Sequence, residues 1–128
     1  MKQIEIKAAI ENLIDTFLYA GKVSIELRKK GLIKEIKEDN TPVSNGDLEV
    51  NRILTEKINN LTPQIPIVSE ETSHNKSKKD LKNFWLIDPI DGTYDYINDL
   101  DEFTLNAGLI INNRAVAGII YAPAKNRL

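Results

Sequence analysis

Apolar residues recur early in the chain as Ile6, Ile10, Leu13, Ile14, Phe17 and Leu18, and the stripe continues through Ala20, Gly21, Ser24 and Leu27. Spacing by three and four predicts one amphipathic helix. The basic cluster Arg28-Lys29-Lys30 suits a helix C-terminus, and Gly31 marks its end. Polar, proline-bearing Lys37-Glu38-Asp39-Asn40-Thr41-Pro42-Val43 reads as a loop or a short hairpin. A second helix follows, capped by Ser44 or Asn45, with Leu48, Val50, Ile53, Leu54, Ile58 and Leu61 as its apolar face.

The rhythm then changes. Ile65-Pro66-Ile67-Val68-Ser69 predicts a short strand ending at Glu70-Glu71, and Thr72 to Asn83 has no period and reads as a mobile loop. Phe84-Trp85-Leu86-Ile87 suits a buried strand that runs into Asp88-Pro89-Ile90-Asp91-Gly92-Thr93, where Pro89 is expected to end the ladder and open a turn. Tyr94 to Asn98 reads as one helical turn. Phe103 to Ile111 and Arg114 to Tyr121 are two strands joined tightly through Asn112-Asn113. Helix, helix, then four strands predicts an α+β fold, two N-terminal helices packed on a mostly antiparallel sheet, in a single domain over residues 1–128. The last predicted strand is an edge that needs a partner.

With 41% hydrophobic and 28% charged residues, the 128-residue chain has the composition of a soluble globular protein. A net charge of −2 gives no global basic field, so nucleic acid is not the expected partner. The absence of cysteine excludes disulfides, thiol catalysis and Cys-based zinc sites. No apolar run is long enough for a membrane span, and Met1 to Glu5 has no signal-peptide core, so a cytoplasmic protein is expected.

Chemistry concentrates in the acids that end the two apolar strands. Two carboxylates about 4 Å apart repel by roughly 4 kcal/mol at an effective dielectric near 20, so a pair such as Asp88 and Asp91 needs a shared proton or a cation. Hard oxygen donors favour Mg²⁺. Each acid also has an ordinary reading: Asp88 to Gly92 as a local turn, Glu70-Glu71 as solvated ends. Counting Asp91, Asp95, Asp99 and Glu102 as a calcium loop fails, because Tyr96 stands where that loop needs glycine. His74 and the lysines Lys76, Lys78, Lys79 and Lys82 read as a solvated loop, and Trp85 as a core anchor.

Three motifs in order, Asp39-Asn40-Thr41-Pro42-Val43-Ser44-Asn45-Gly46-Asp47, Ser69-Glu70-Glu71 and Asp88-Pro89-Ile90-Asp91-Gly92-Thr93, resemble the inositol monophosphatase superfamily of Mg²⁺-dependent, lithium-sensitive phosphatases. The first of these and Glu102-Phe103-Thr104-Leu105-Asn106 are more similar to the CysQ-type 3′(2′),5′-bisphosphate nucleotidases of sulfur assimilation than to inositol monophosphatases proper, and the closing Gly118 to Pro123 fits the same family. Gly46 departs from the alanine more usual there, a change expected to be tolerated at a helix start.

The resemblance implies the N-terminal half of a layered α/β sandwich. It implies that Glu70, Asp88 and the Ile90 carbonyl hold one Mg²⁺, that Asp88 bridges to a second ion bound by Asp91, and that Asp47 and Thr93 pair and, with Glu70, orient and deprotonate the attacking water. The Gly92 and Thr93 N–H groups would hold phosphate oxygens; Glu71 has no secure role. The implied reaction is hydrolysis of the 3′-phosphate of adenosine 3′,5′-bisphosphate to AMP and phosphate. An inositol monophosphatase-type sugar phosphatase, or a non-catalytic remnant that binds a divalent ion or phosphate, are the alternatives. Family members run to about twice this length, their second half bringing a further aspartate and most of the substrate pocket. A truncated form is therefore expected, completed by that half or by self-association, and nearly inactive alone.

Overall fold

The computed structural model describes residues 2–69, 71 and 82–128. The first apolar stripe forms α1 (Gln3–Lys30), which buries Ala9, Leu13, Phe17, Ala20, Gly21 and Ser24 along one face and ends at Gly31. The proline-bearing segment is the predicted hairpin, β1 (Lys34–Ile36) paired antiparallel with β2 (Pro42–Ser44). Helix α2 (Asn45–Leu61) starts directly from β2 and buries Gly46, Asp47, Val50, Asn51, Ile53, Leu54 and Ile58. Two of these, Asp47 and Asn51, are polar residues one turn apart inside the apolar face.

The main sheet is built from β3 (Ile67–Ser69), β4 (Phe84–Asp91), β5 (Thr104–Ile111) and β6 (Arg114–Tyr121), in that spatial order. The β3–β4 pairing is parallel and the other two are antiparallel, so the sheet is mixed, with the antiparallel share the larger as expected. A short helix, α3 (Thr93–Ile97), follows β4 at the predicted place. Asn112 and Asn113, at φ 51° and 65°, make the tight turn from β5 to β6, because a two-residue hairpin that matches strand twist needs both central residues left-handed.

Helices α1 and α2 lie together on one face of this sheet. Their side chains Leu13, Phe17, Val50, Leu54 and Ile58 form one buried cluster with Trp85, Ile87, Leu105, Leu109 and Tyr121 of the strands. Trp85 is the anchor expected of it: fully buried, it donates its indole N–H to Thr62 Oγ1 at 3.0 Å, so the burial leaves no orphan donor.

One expectation needs correction, and another is strengthened. Pro89 does not end the ladder, since β4 continues to Asp91 through a register shift between Asp88 and Asp91; proline, which cannot donate to a ladder, is accommodated at that irregularity. Gly46 is not merely tolerated. A Cβ there would lie 2.1 Å from Tyr96 Oη and 2.7 Å from two ring carbons, so the bulky Tyr96 requires the missing side chain. Tyr96, completely buried, runs past Gly46 to donate its hydroxyl to the Ser24 carbonyl at 2.6 Å, joining α1, α2 and α3.

Candidate active site

In a regular strand Asp88 and Asp91, three positions apart, would point to opposite faces. The irregularity in β4 changes this. Asp88 sits opposite Asn106 and Asp91 opposite Thr104, so three residue steps on β4 match two on β5. Cross-strand partners share a face, and so do residues two apart on a strand. Both aspartates therefore belong to the face of Thr104 and Asn106, with one inserted residue acting as a β-bulge. Pro89 and Ile90 fill the bulge and are buried, whereas Asp88 is half-buried and Asp91 exposed.

Behind this rim lies a buried polar cluster. Asp47 is completely buried, and Thr93 Oγ1 donates to its Oδ1 at 2.8 Å across 46 residues of sequence. The same hydroxyl lies 3.2 Å from the Ile90 carbonyl oxygen. Asp47 Oδ2 accepts the Ser44 N–H at 2.8 Å and also the Ser44 hydroxyl, while Ser44 Oγ accepts the Asp47 N–H at 3.3 Å. This is the reciprocal capping box at the start of α2, made with aspartate as its acid. A buried carboxylate is costly unless its oxygens take hydrogen bonds, and three donors meet that need here. Burial first, and the Asp47 charge second, raise the Tyr96 phenol above the ordinary tyrosine range, with Arg28 opposing.

The turn after β4 is held equally firmly. Gly92 adopts φ 84°, and a Cβ there would stand 3.1 Å from the Glu102 carbonyl, so both backbone and space favour glycine before Thr93. Arg28, at the end of α1, lies 4.9 Å from the Phe103 ring centroid and 5.7 Å from that of Tyr96, and donates to the Leu100 carbonyl at 2.7 Å. It thereby ties the segment after α3 to α1.

The end of β3 reaches the same sheet edge. Ser69 pairs with Ile87, one residue before Asp88, and its hydroxyl donates to Asn51 Oδ1 of α2. Parallel pairing thus delivers the C-terminal ends of β3 and β4 to one edge. Glu70, expected as both ligand and general base, lies outside the described residues, as do His74, Lys76, Lys78 and Lys79. Glu71 is not simply solvated: its side chain is 7% exposed and pairs with Lys37 Nζ at 3.6 Å, linking the β1–β2 hairpin to the end of β3. Sequence reading passed over Ser44 as more than a cap, and Asn51 altogether. The signal available for Asn51 was a polar residue between Val50 and Leu54 on an apolar helix face.

Asp47, Thr93, Ile90, Asp88, Asp91 and Gly92 are thus brought to the junction of β4, α3 and the start of α2. Two carboxylates and a backbone carbonyl from one bulge form an all-oxygen donor set, which fits a hard divalent cation. Among the described residues, which exclude Glu70, no three His, Cys, Asp or Glu side chains gather into a metal-ligating group. No helix among the described residues is long and apolar enough to cross a membrane.

Comparison with known proteins bears on this arrangement. The model of the inositol monophosphatase family matches residues 6–128. A 3′(2′),5′-bisphosphate nucleotidase CysQ of Haemophilus influenzae is 42% identical over 106 residues, which are 81% of this chain and 39% of that protein. The CysQ of Aggregatibacter actinomycetemcomitans is 39% identical over 116 residues, 89% of this chain and 43% of that one. The chain thus spans about two fifths of the length of these relatives. Among solved structures, an inositol monophosphatase of Thermotoga maritima superposes with a TM-score of 0.80 at 25% identity, covering 91% of this chain and 45% of the other. An inositol monophosphatase/NADP phosphatase complexed with Mg²⁺ and phosphate shares the fold, with a TM-score of 0.77 at 19% identity over 91% of this chain and 45% of its own. The fold class expected from the sequence is the one found, and the chain belongs to the inositol monophosphatase family.

Proposed function

We propose that the chain carries the metal-binding and water-activating part of a Mg²⁺-dependent phosphomonoesterase acting on a nucleotide bisphosphate, with adenosine 3′,5′-bisphosphate the preferred substrate. The observation that carries this reading is the 2.8 Å hydrogen bond from Thr93 to a completely buried Asp47, beside two aspartates that a bulge sets on one face. A bulge and a buried charge are both features that stability alone does not demand. The CysQ names of the relatives in Haemophilus influenzae and Aggregatibacter actinomycetemcomitans support the nucleotide over inositol phosphate.

In this reading Asp88, Asp91, Glu70 and the Ile90 carbonyl hold the ions. When bound, Mg²⁺ supplies Lewis acidity, acidifying water and neutralising charge on the phosphate oxygens. Asp47 remains an acceptor and draws the Thr93 hydroxyl proton toward itself, which leaves the Thr93 oxygen lone pairs to accept a proton from the attacking water. Glu70 shares that proton-accepting role, and the Gly92 and Thr93 N–H groups face the phosphate. Phosphate release from adenosine 3′,5′-bisphosphate and from inositol 1-phosphate tests the reading, on a polypeptide of the relatives' length that begins with these 128 residues. Faster release from the nucleotide, dependent on Mg²⁺, is expected; preference for inositol 1-phosphate would favour the sugar phosphatase, and no release from either would favour a non-catalytic binder.

A further inference from the structure

Thr93 has one hydroxyl proton and two acceptors in reach, Asp47 Oδ1 at 2.8 Å and the Ile90 carbonyl at 3.2 Å. It can direct that proton well at only one of them. What biases the choice is the orientation of the Asp47 carboxylate, and that orientation is set from its other side. Ser44 places two donors on Oδ2, its N–H at 2.8 Å and its hydroxyl. The Ser44 hydroxyl has its own acceptor side occupied by the Asp47 N–H at 3.3 Å, so its proton is committed to the carboxylate. Ser44 is 1% exposed and Asp47 0%, so water does not compete for either group. With Oδ2 held twice, the carboxylate plane is fixed and Oδ1 faces Thr93.

We infer that Ser44 is a positioning residue: acting through Asp47, it holds the Thr93 hydroxyl proton on the carboxylate and off the Ile90 carbonyl. The consequence is a division of labour between two oxygens only three residues apart. The Ile90 carbonyl keeps its lone pairs for a cation, and the Thr93 oxygen keeps its own for water. This deepens the phosphatase reading and rests on it. An N-cap serine with no such duty could be replaced by glycine with little loss of helix stability.

The two roles separate by NMR on the chain itself, because a carbonyl carbon shifts downfield when its oxygen accepts a hydrogen bond. The carbons to follow are Ile90 ¹³C′ and Asp47 ¹³Cγ. They are compared in the wild type and in Ser44→Ala, Ser44→Gly and Ser44→Thr, each also combined with Thr93→Val. Ser44→Ala and Ser44→Gly are expected to move Ile90 ¹³C′ downfield, and Ser44→Thr to leave it at the wild-type position. With Thr93→Val in place, Ser44→Ala should no longer move it. An Ile90 signal that ignores Ser44→Ala and Ser44→Gly, or one that shifts equally without the Thr93 hydroxyl, would reduce Ser44 to a helix cap. Glycine is nearly as stable as serine at an N-cap, so the Gly variant guards against a mere loss of folding. A Mg²⁺ titration of the Asp88 and Asp91 ¹³Cγ signals tests the underlying reading separately. Signals that do not respond would contradict the metal site while leaving the Ser44 result standing.

Discussion

Two clusters of oxygen atoms stand side by side at the end of β4, and they are built on opposite principles. The Asp47 cluster is interior: every oxygen of a fully buried carboxylate has donors from Ser44 and Thr93. The Asp88–Asp91 rim is half-buried to exposed, and a strand irregularity puts its two carboxylates on one face. A buried charge must be matched by the protein itself, since removing one partner leaves a desolvated group uncompensated. A rim charge can be matched by a cation from solvent. On the proposed reading rigidity belongs to the first cluster and cation binding to the second, with the Thr93 hydroxyl and Ile90 carbonyl at the seam.

The largest expected effect breaks the seam. In a polypeptide of the relatives' length, Thr93→Ala should lower turnover by two or more orders of magnitude while Mg²⁺ affinity stays nearly unchanged, since a positioned general base contributes ~10²–10⁴-fold. Steady-state phosphate release and Mg²⁺ calorimetry on the same variant check both halves. Next comes the rim. Saturating Mg²⁺ should raise the thermal midpoint, with about 2.7 kcal/mol of added stability at one hundred times the dissociation constant, and Asp88→Asn should remove most of that gain. A midpoint indifferent to millimolar Mg²⁺ would mean the rim is not a formed site.

Smaller effects sharpen the contrast from the interior side. Gly46→Ala should cost about 1–3 kcal/mol in denaturant unfolding, because its methyl group must displace Tyr96 from a packed core. Loss of less than 0.5 kcal/mol would mean the three-helix junction is looser than its contacts suggest. Smallest is the hairpin tie: Lys37→Met should cost no more than about 1 kcal/mol, and the difference from wild type should shrink in high salt, as for a partly exposed ion pair.

What the sequence made legible follows the same division. Elements carried by long periodic patterns, such as α1 and α2, and turns with distinctive chemistry, such as Asn112-Asn113, appear where expected. The carboxylate-bearing segment was visible as a motif, but its geometry was not. No local preference states that Pro89 lies within a bulge instead of at a strand end, because that outcome depends on β5 continuing to pair beyond it. The need for Gly46 was equally hidden, since it comes from Tyr96, fifty residues on in sequence and delivered by a different element. Ser44 was readable as a cap from its type and place. Its grip on the buried Asp47 became apparent only with the hydrogen bonds that close the ring.

The central claim is that the β4 bulge presents a divalent-cation site. Anomalous scattering from crystals of the chain grown with Mn²⁺, a close stand-in for Mg²⁺, tests it most directly. The account predicts a peak at the rim, bounded by the carboxylates of Asp88 and Asp91 and the Ile90 carbonyl, at ligand distances near the ~2.1 Å typical of Mg²⁺. A map with no peak at that edge, or with Mn²⁺ bound only elsewhere, would contradict it.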